Sequence, residues 1–371
     1  MFKRMSPAGA ERARHSLSLA IGVLAAFALG AVIILATGHN PLEAYGALLK
    51  GSFGSLRAIG NTGAKTVTLC LTGLAMAVAA RAGMFNVGGE GQLYLGAIAS
   101  SMVGVWLRGC SAWIVIPCAI LAAVLAGGFY AFIPAVLKAK LKVNEVITTI
   151  MLNSAAILFC SYLVNGPFKT SESGIAAGTD ALLPEYRLAK LIPLSNLTTS
   201  IFIAAGLAFI VWYMMRKSVT GYEMQLTGQN ERFARYMGIK TDRLAIISMI
   251  VSGALCALVG MFEVYGLHGR FIEEVSNEFY FDGMLVAMIM RYQPVGIMLM
   301  SVFFAAIEVG SASMELAAGV SSELVSIIQS IIIFFMAAET GVRAIITDRN
   351  ARKALIACAV SDAADGGESN A

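Results

Sequence analysis

Charge is what this chain has least of. Of its 371 residues only 13% are Asp, Glu, Lys or Arg, against 58% hydrophobic, whereas soluble globular domains carry roughly 25% charged residues. Together with a mean hydropathy of +0.75, that shortage excludes a soluble fold, which could not hide so much apolar surface. The net charge of +4 is small and dispersed, which argues against nucleic acid as a partner. The six cysteines mostly lie in or beside apolar runs and form no Cys-x-x-Cys pair, so neither a disulfide framework nor a zinc site is expected. With three histidines, no His-Glu-x-x-His and no Gly-x-Ser-x-Gly, nothing supports an intramembrane enzyme, and no catalytic or metal-ligating residue is assigned. The chain also lacks any Gly-Lys dipeptide. Without a Gly-x-x-x-x-Gly-Lys-Ser/Thr loop it has neither the backbone cradle nor the lysine for a nucleotide's phosphates, so it is expected to hold no cofactor and to hydrolyse no ATP.

What the chain does have is long apolar runs. They approach the ~20 residues that an α-helix needs to cross the hydrocarbon core, and they do not alternate in the way of barrel strands. The sequence reads as all-α, a polytopic integral membrane protein with about ten transmembrane helices, near 16–37, 61–80, 86–107, 112–137, 145–164, 194–215, 244–267, 280–290, 295–312 and 322–339. The first run follows Lys3, Arg4, Arg12 and Arg14 as in a signal peptide, but it is longer than the 7–15 apolar residues of one, so it reads as a retained span. Lys and Arg collect in the N-terminus, at Lys138, Lys140 and Lys142, in 216–243 and in the tail at Arg343, Arg349, Arg352 and Lys353; the positive-inside bias then puts both termini in the cytoplasm. The expected organisation is a cytoplasmic tail over 1–15, a transmembrane domain over 16–342 and a second cytoplasmic tail over 343–371.

Two runs are interrupted and are expected to be bent or broken: the Gly-rich stretch Gly83 to Gly91, and 280–312 at Arg291-Tyr292-Gln293-Pro294. Irregular backbone at membrane depth survives only where protein or a water-filled cavity surrounds it, so a transport pathway is expected there. Small residues such as Gly127-Gly128 allow close helix packing.

Polar residues inside apolar runs carry the remaining information. Asn86 and Glu90 stand four apart amid glycines, on one face of a helix, and an intramembrane acid is by default a functional hypothesis. The competing reading is a helix cap or an interhelical hydrogen bond. Glu145, Thr149 and Asn153 recur at i, i+4 and i+8, with Asn144 and Thr148 beside them. Such a stripe faces protein or water, either as pathway or as a packing seam. Asp282 reads as a cap for a helix beginning near Phe281, and Arg291 as a snorkelling residue; Glu263, Glu308 and His268 give weaker signals. The segment Arg216 to Arg243 is long, basic and Gly-punctuated, and reads as a short cytoplasmic helix between turns, or as an ordinary solvated loop.

That segment, together with Phe85-Asn86-Val87-Gly88-Gly89-Glu90-Gly91-Gln92, Asn144-Glu145-Val146-Ile147 through Asn153, and Phe281-Asp282-Gly283 ahead of Arg291 and Pro294, resembles the ABC permeases of the ribose and nucleoside importer group from about residue 60 to 340. The likeness is to the larger of two paired permeases in systems that use a basic-membrane-protein type lipoprotein, often assigned to purine nucleosides. The resemblance implies a bacterial cytoplasmic-membrane location, a heterodimer with a second homologous permease, an extracytoplasmic solute-binding protein and a cytoplasmic ABC ATPase. It implies that Gly228 to Ile239 forms the coupling helix that docks into the ATPase, so that Gly228, Asn230, Arg232, Ala234, Arg235, Tyr236 and Gly238 mark the coupling element. The general Glu-Ala-Ala-x-x-x-Gly pattern would fall on Arg232, Phe233, Ala234 and Gly238, and only the last two agree.

The expected mechanism is alternating access driven by the partner ATPase, with solute delivered to outer loops at 165–193 and 268–280. A neutral solute such as a nucleoside suits Asn and Thr groups set in apolar walls, and Asn86, Glu90, Asn144, Glu145, Thr149 and Asn153 are the candidate pathway residues. A simple sugar such as ribose is the rival solute, and an ion-coupled secondary transporter the rival class.

Overall fold

The structure, a computed structural model, describes residues 7–170, 177–321 and 323–335, with side chains from Ile21 onward. The expected C-terminal tail, the last part of the tenth run, the first residues of the N-terminal tail and the middle of the first outer loop lie outside the described residues. Among those described, the secondary structure is helical apart from two isolated bridges.

Helices run over Pro7–Ala36 (α1), Pro41–Phe53 (α2), Leu56–Arg81 (α3), Gly89–Trp106 (α4), Ala112–Leu141 (α5), Glu145–Asn165 (α6), Ser200–Lys217 (α7), Val219–Gln229 (α8), Glu231–Tyr236 (α9), Thr241–Phe262 (α10), Phe279–Ile289 (α11) and Pro294–Ala318 (α12), then Glu323–Phe335 (α13). The first helix begins at Pro7, ahead of residue 16 where a span was expected to start. Each of the ten expected runs coincides with a helix. Six of these helices are long and apolar enough to cross a membrane, namely α3, α5, α6, α7, α12 and α10 with its extension to His268, and Ile21–Ala36 taken with α2 makes a seventh. Two of the others fall short for visible reasons: α4 is diluted by Gly, Ser and Gln, and α11 is a short apolar helix that does not reach ~20 residues; α13 is described over Glu323–Phe335 alone.

Residues up to Ala44 and from Ala318 form one compact unit, and Tyr45–Ala317 forms the other. The centre of the second unit is α3 and α10, which are mostly buried, whereas only one face of α6 is buried. Small residues let them sit there. A Cβ on Gly127 of α5 would strike the Gly253 carbonyl and the Ala257 Cβ of α10, and one on Gly253 would strike the Gly127 carbonyl and the Ala131 Cβ. On the other side a Cβ on Gly96 of α4 would strike Ala257, and one on Gly260 would strike the Leu93 carbonyl. The single stripe Gly253, Ala257, Gly260 thus admits α5 and α4 at backbone contact, the close approach that drives packing where lipid offers no hydrophobic gain.

Both expected breaks are present. The turn after α3 passes through Gly83 at φ +77°, and 84–88 run irregularly to α4 with Met84, Asn86 and Val87 buried. Between α11 and α12, Arg291 and Tyr292 have φ of +49° and +58°, and Pro294 opens α12, where its missing N–H costs nothing. A third irregularity has no break in hydropathy to announce it: α10 loosens into a π turn over Glu263–His268 that closes on Gly269 at φ +69°.

Candidate functional site

The buried break ahead of α4 leaves backbone donors and acceptors without helical partners, and the polar residues around it supply them. Asn86, fully buried, pairs its amide with that of Gln92, donating to Oε1 at 2.9 Å and accepting from Nε2 at 3.2 Å, and donates a second bond to Ser252 Oγ of α10 at 2.9 Å. Its Oδ1 also accepts from the Gly88 N–H at 3.2 Å. From α6, Thr149 Oγ1 accepts from the Val87 N–H at 3.3 Å and Asn153 Oδ1 accepts from the Gly91 N–H. The Tyr280 hydroxyl of α11 donates to the Asn86 carbonyl.

Glu90 reaches the other way, accepting the Tyr280 N–H at 3.0 Å. That N–H belongs to the first turn of α11, which begins at Phe279 behind a Glu278 that gives no side-chain cap. Asp282, expected to cap this helix, instead lies inside its first turn. A helix that starts at depth cannot leave its first donors to water, and Glu90 of α4 supplies one acceptor.

Four predicted residues, Asn86, Glu90, Thr149 and Asn153, therefore converge as one seam joining α4, α6, α10 and α11. The structure does not bring Asn144 and Glu145 into it. Asn144 caps α6, its Oδ1 accepting from the Val146 N–H at 2.9 Å, and Glu145 pairs with Lys138 Nζ of α5 at 2.7 Å, which closes the α5–α6 hairpin.

At that same end of the bundle, 216–243 folds as two helices where one was expected. Asn230 separates them, accepting from the Phe233 N–H at 3.0 Å to cap α9. Gly228 belongs to the last turn of α8. It is pressed against the chain leaving α3: a Cβ there would meet the Arg81 carbonyl, and one on Gly83 would meet the Gly228 Cα. Ala234 is buried, whereas Phe233, Tyr236 and Met237 stand 50%, 90% and 64% exposed. Arg232 and Gly238 are exposed as well. Arg235, expected as a partner contact, is engaged within the chain by Glu231 at 2.8 Å, Asp242 at 2.7 Å and Thr241 Oγ1 at 2.9 Å, tying α9 to the start of α10. A cleft of about 490 Å³ lies beside it, lined by Lys138, Lys142, Glu231, Arg232 and Asp242.

Sequence reasoning missed a second polar site. In α3, Lys65 Nζ pairs with Glu308 Oε1 of α12 at 2.6 Å and lies 3.9 Å from the centroid of the Phe279 ring. Thr68 Oγ1 donates to Glu263 Oε1 of the π turn at 2.9 Å. These groups border a cavity of about 320 Å³ that also meets Asn61, Thr198, Ser200 and Phe262. The available signal was a lysine inside an apolar helix, which by default implies a buried partner.

The two expected outer loops meet above this cavity. Backbone bonds join Thr179 to Phe271 at 3.0 Å, Leu182 to Gly269 at 2.8 Å and Leu188 to Tyr265 at 3.0 Å, and the Asn196 N–H donates to Asn61 Oδ1 at 2.9 Å.

Comparison with known proteins adds a lineage to this geometry. Residues 58–337 match the family described as branched-chain amino acid transport system, permease component. The guanosine ABC transporter permease protein NupP of Bacillus subtilis is 33% identical over 335 residues, covering 90% of this chain and 96% of that protein. The glucose ABC transporter permease protein TsgB13 of Haloferax volcanii is 34% identical over 325 residues, 85% of each chain. The nucleoside ABC transporter permease protein NupB of Lactococcus lactis is 31% identical over 352 residues, 93% of this chain and 96% of its own length.

Proposed function

The chain belongs to the branched-chain amino acid transport system permease family, and from that premise we propose that it is the membrane-spanning subunit of an ABC importer for nucleosides. The observation that carries the solute is the 33% identity to a guanosine permease across 90% of the chain. A sugar is the second reading, favoured by the 34% identity to a glucose permease.

In this reading the chain crosses the cytoplasmic membrane of its cell about ten times, with both termini and α8–α9 in the cytoplasm, tails over 1–15 and 343–371, and the transmembrane domain between. It pairs with a second homologous permease. A cytoplasmic ATPase binds and hydrolyses the nucleotide, and an extracytoplasmic binding protein releases solute onto the outer loops at 165–193 and 268–280. The exposed Phe233, Tyr236 and Met237 are the anchors that α9 offers the ATPase, since buried aromatics dominate such contacts. Arg235 holds α9 on α10, and the close contact of Gly228 with Gly83 passes its displacement to the break ahead of α4.

The break is where the pathway opens. Asn86, Glu90, Thr149 and Asn153 hold α4, α6, α10 and α11 together, and moving these helices apart exposes polar groups along the route that solute must follow. Asn144 and Glu145 lie outside this route, at the cytoplasmic start of α6, where one caps the helix and the other pairs with Lys138.

Uptake of labelled guanosine, adenosine, uridine and ribose into cells with and without this chain tests the reading, each repeated with an uncoupler of ion gradients. Nucleoside uptake is expected to require the chain and to survive the uncoupler. A ribose-only signal would move the solute to sugars, and loss of uptake with the gradient would replace the ATPase by ion coupling.

A further inference from the structure

We infer that the cavity around Lys65, Glu308 and Glu263 is the outer solute site, and that it takes the ribose ring of an uncharged nucleoside. The inference rests on the nucleoside reading above but places the solute at residues other than the Asn86 seam.

Three ionisable side chains from α3, α12 and the π turn border one void, and charged groups inside a membrane protein are expensive enough to mark solute or ion paths. Packing alone does not account for them, because the seam shows how this fold treats polar groups that join helices: it fills the space between them. Here a volume of about 320 Å³ is left open, within the range of roughly 300–1,000 Å³ typical of small-molecule pockets.

The lining matches one chemistry. Carboxylates accept two hydrogen bonds side by side, and an ammonium donates but does not accept; a vicinal diol can donate to Glu308 while its oxygens accept from Lys65. Phe262 and Phe279 give the cavity aromatic and apolar wall for the base. Lys65 is the single cation against Glu263 and Glu308 among the lining residues, which disfavours the phosphate of a nucleotide and admits a neutral solute.

Position agrees. Lys65 lies nine residues into α3, about 14 Å from its start at 1.5 Å per residue, and of the lining residues Asn196 and Thr198 lie in the loop just ahead of α7 and Ser200 opens that helix. Solute released onto the outer loops meets this site before the seam.

The test places a thiol in the wall of the assembled transporter. Ala64 lines the cavity, and in Ala64→Cys the tryptic peptide Ala58–Lys65 contains no other cysteine, so modification by a small maleimide is read at that one residue by mass spectrometry. Guanosine is expected to slow labelling at least fivefold, guanosine monophosphate to leave it unchanged, Glu308→Gln to abolish the protection and Glu308→Asp to retain it. Unchanged labelling with guanosine, ribose and glucose alike, or equal protection in Glu308→Gln, overturns the site. Protection by ribose or glucose without guanosine keeps the cavity as the solute site and sinks its nucleoside assignment. Uptake is expected to fall at least tenfold in Lys65→Met, and wild-type uptake in that variant would also overturn the proposal.

Discussion

Two polar regions of the same bundle make opposite use of their hydrogen-bonding groups. Around the break ahead of α4, Asn86 and Gln92 exchange two bonds, Ser252, Thr149 and Asn153 join them, and Glu90 is taken by the Tyr280 N–H. Around Lys65 the strongest contact is an ion pair at 2.6 Å beside open volume. The first arrangement answers a backbone that left its helix at depth, where each unsatisfied group costs several kcal/mol. The second answers no such need, because α3 runs through Lys65 without interruption. Buried polarity in a membrane protein therefore separates by what surrounds it. A filled seam fixes helices, and a charged void receives something.

The largest effect that would break this contrast comes from volume. A Cβ on Gly91 would meet Ala156 Cβ, Asn153 Oδ1 and the Asn153 Cα, so Gly91→Val is expected to destabilise by about 3 kcal/mol, the upper part of the range for overpacked interiors. Ala64→Leu at the cavity wall has room to grow into; its thermal midpoint is expected to hold within two or three degrees while uptake falls. Thermal unfolding of the purified transporter, read beside uptake, checks both. Equal loss of stability in the two variants would erase the distinction between seam and void.

A smaller effect tests the seam's chemistry. Glu90→Ala leaves the buried Tyr280 N–H without its acceptor, at about 1–3 kcal/mol, whereas Glu90→Gln keeps an acceptor and is expected to recover most of the loss. If both variants unfold together, the carboxylate's charge matters more than its place as an acceptor for α11.

The fold was legible wherever a residue's own chemistry interrupts a pattern. Apolar runs marked the helices. Glycine at Gly83 and the Arg291–Pro294 interruption marked two breaks, and the buried face of α6, with Glu145, Thr149, Asn153, Ala156 and Cys160, follows the i, i+4 spacing read from the stripe. The π turn at Glu263–His268 was hidden because hydropathy runs through it unbroken, and a change of hydrogen-bond register leaves no compositional trace. The division of 216–243 into α8 and α9 rests on the single cap at Asn230, a residue the resemblance sets inside one continuous coupling helix. The Lys65 site was only partly legible, through Lys65 itself and the weak signals at Glu263 and Glu308. Its partner Glu308 comes from a distant helix, and one sequence records no pairing across such a separation.

Asn144 is where the sequence reading and the geometry part most sharply, and it supplies the smallest expected effect. Its neighbours in the polar stripe made it a pathway candidate, yet its side chain bonds the Val146 N–H at 2.9 Å, at an N-cap whose backbone is extended (φ −67°, ψ 116°). A cap satisfies one of the four donors that every helix start leaves open, and replacing it by alanine costs about 1 kcal/mol. Asn144→Ala is therefore expected to lower the transporter's thermal midpoint slightly, and Asn144→Asp or Asn144→Ser to restore it, since both side chains accept the same bond. Uptake per folded molecule should be the same in all three. A pathway residue would behave differently: serine's shorter side chain would change the apparent affinity for solute even with the helix start intact. A shift in KM for Asn144→Ser without a shift in thermal midpoint would return Asn144 to the route and extend the solute's path beyond the seam to the start of α6.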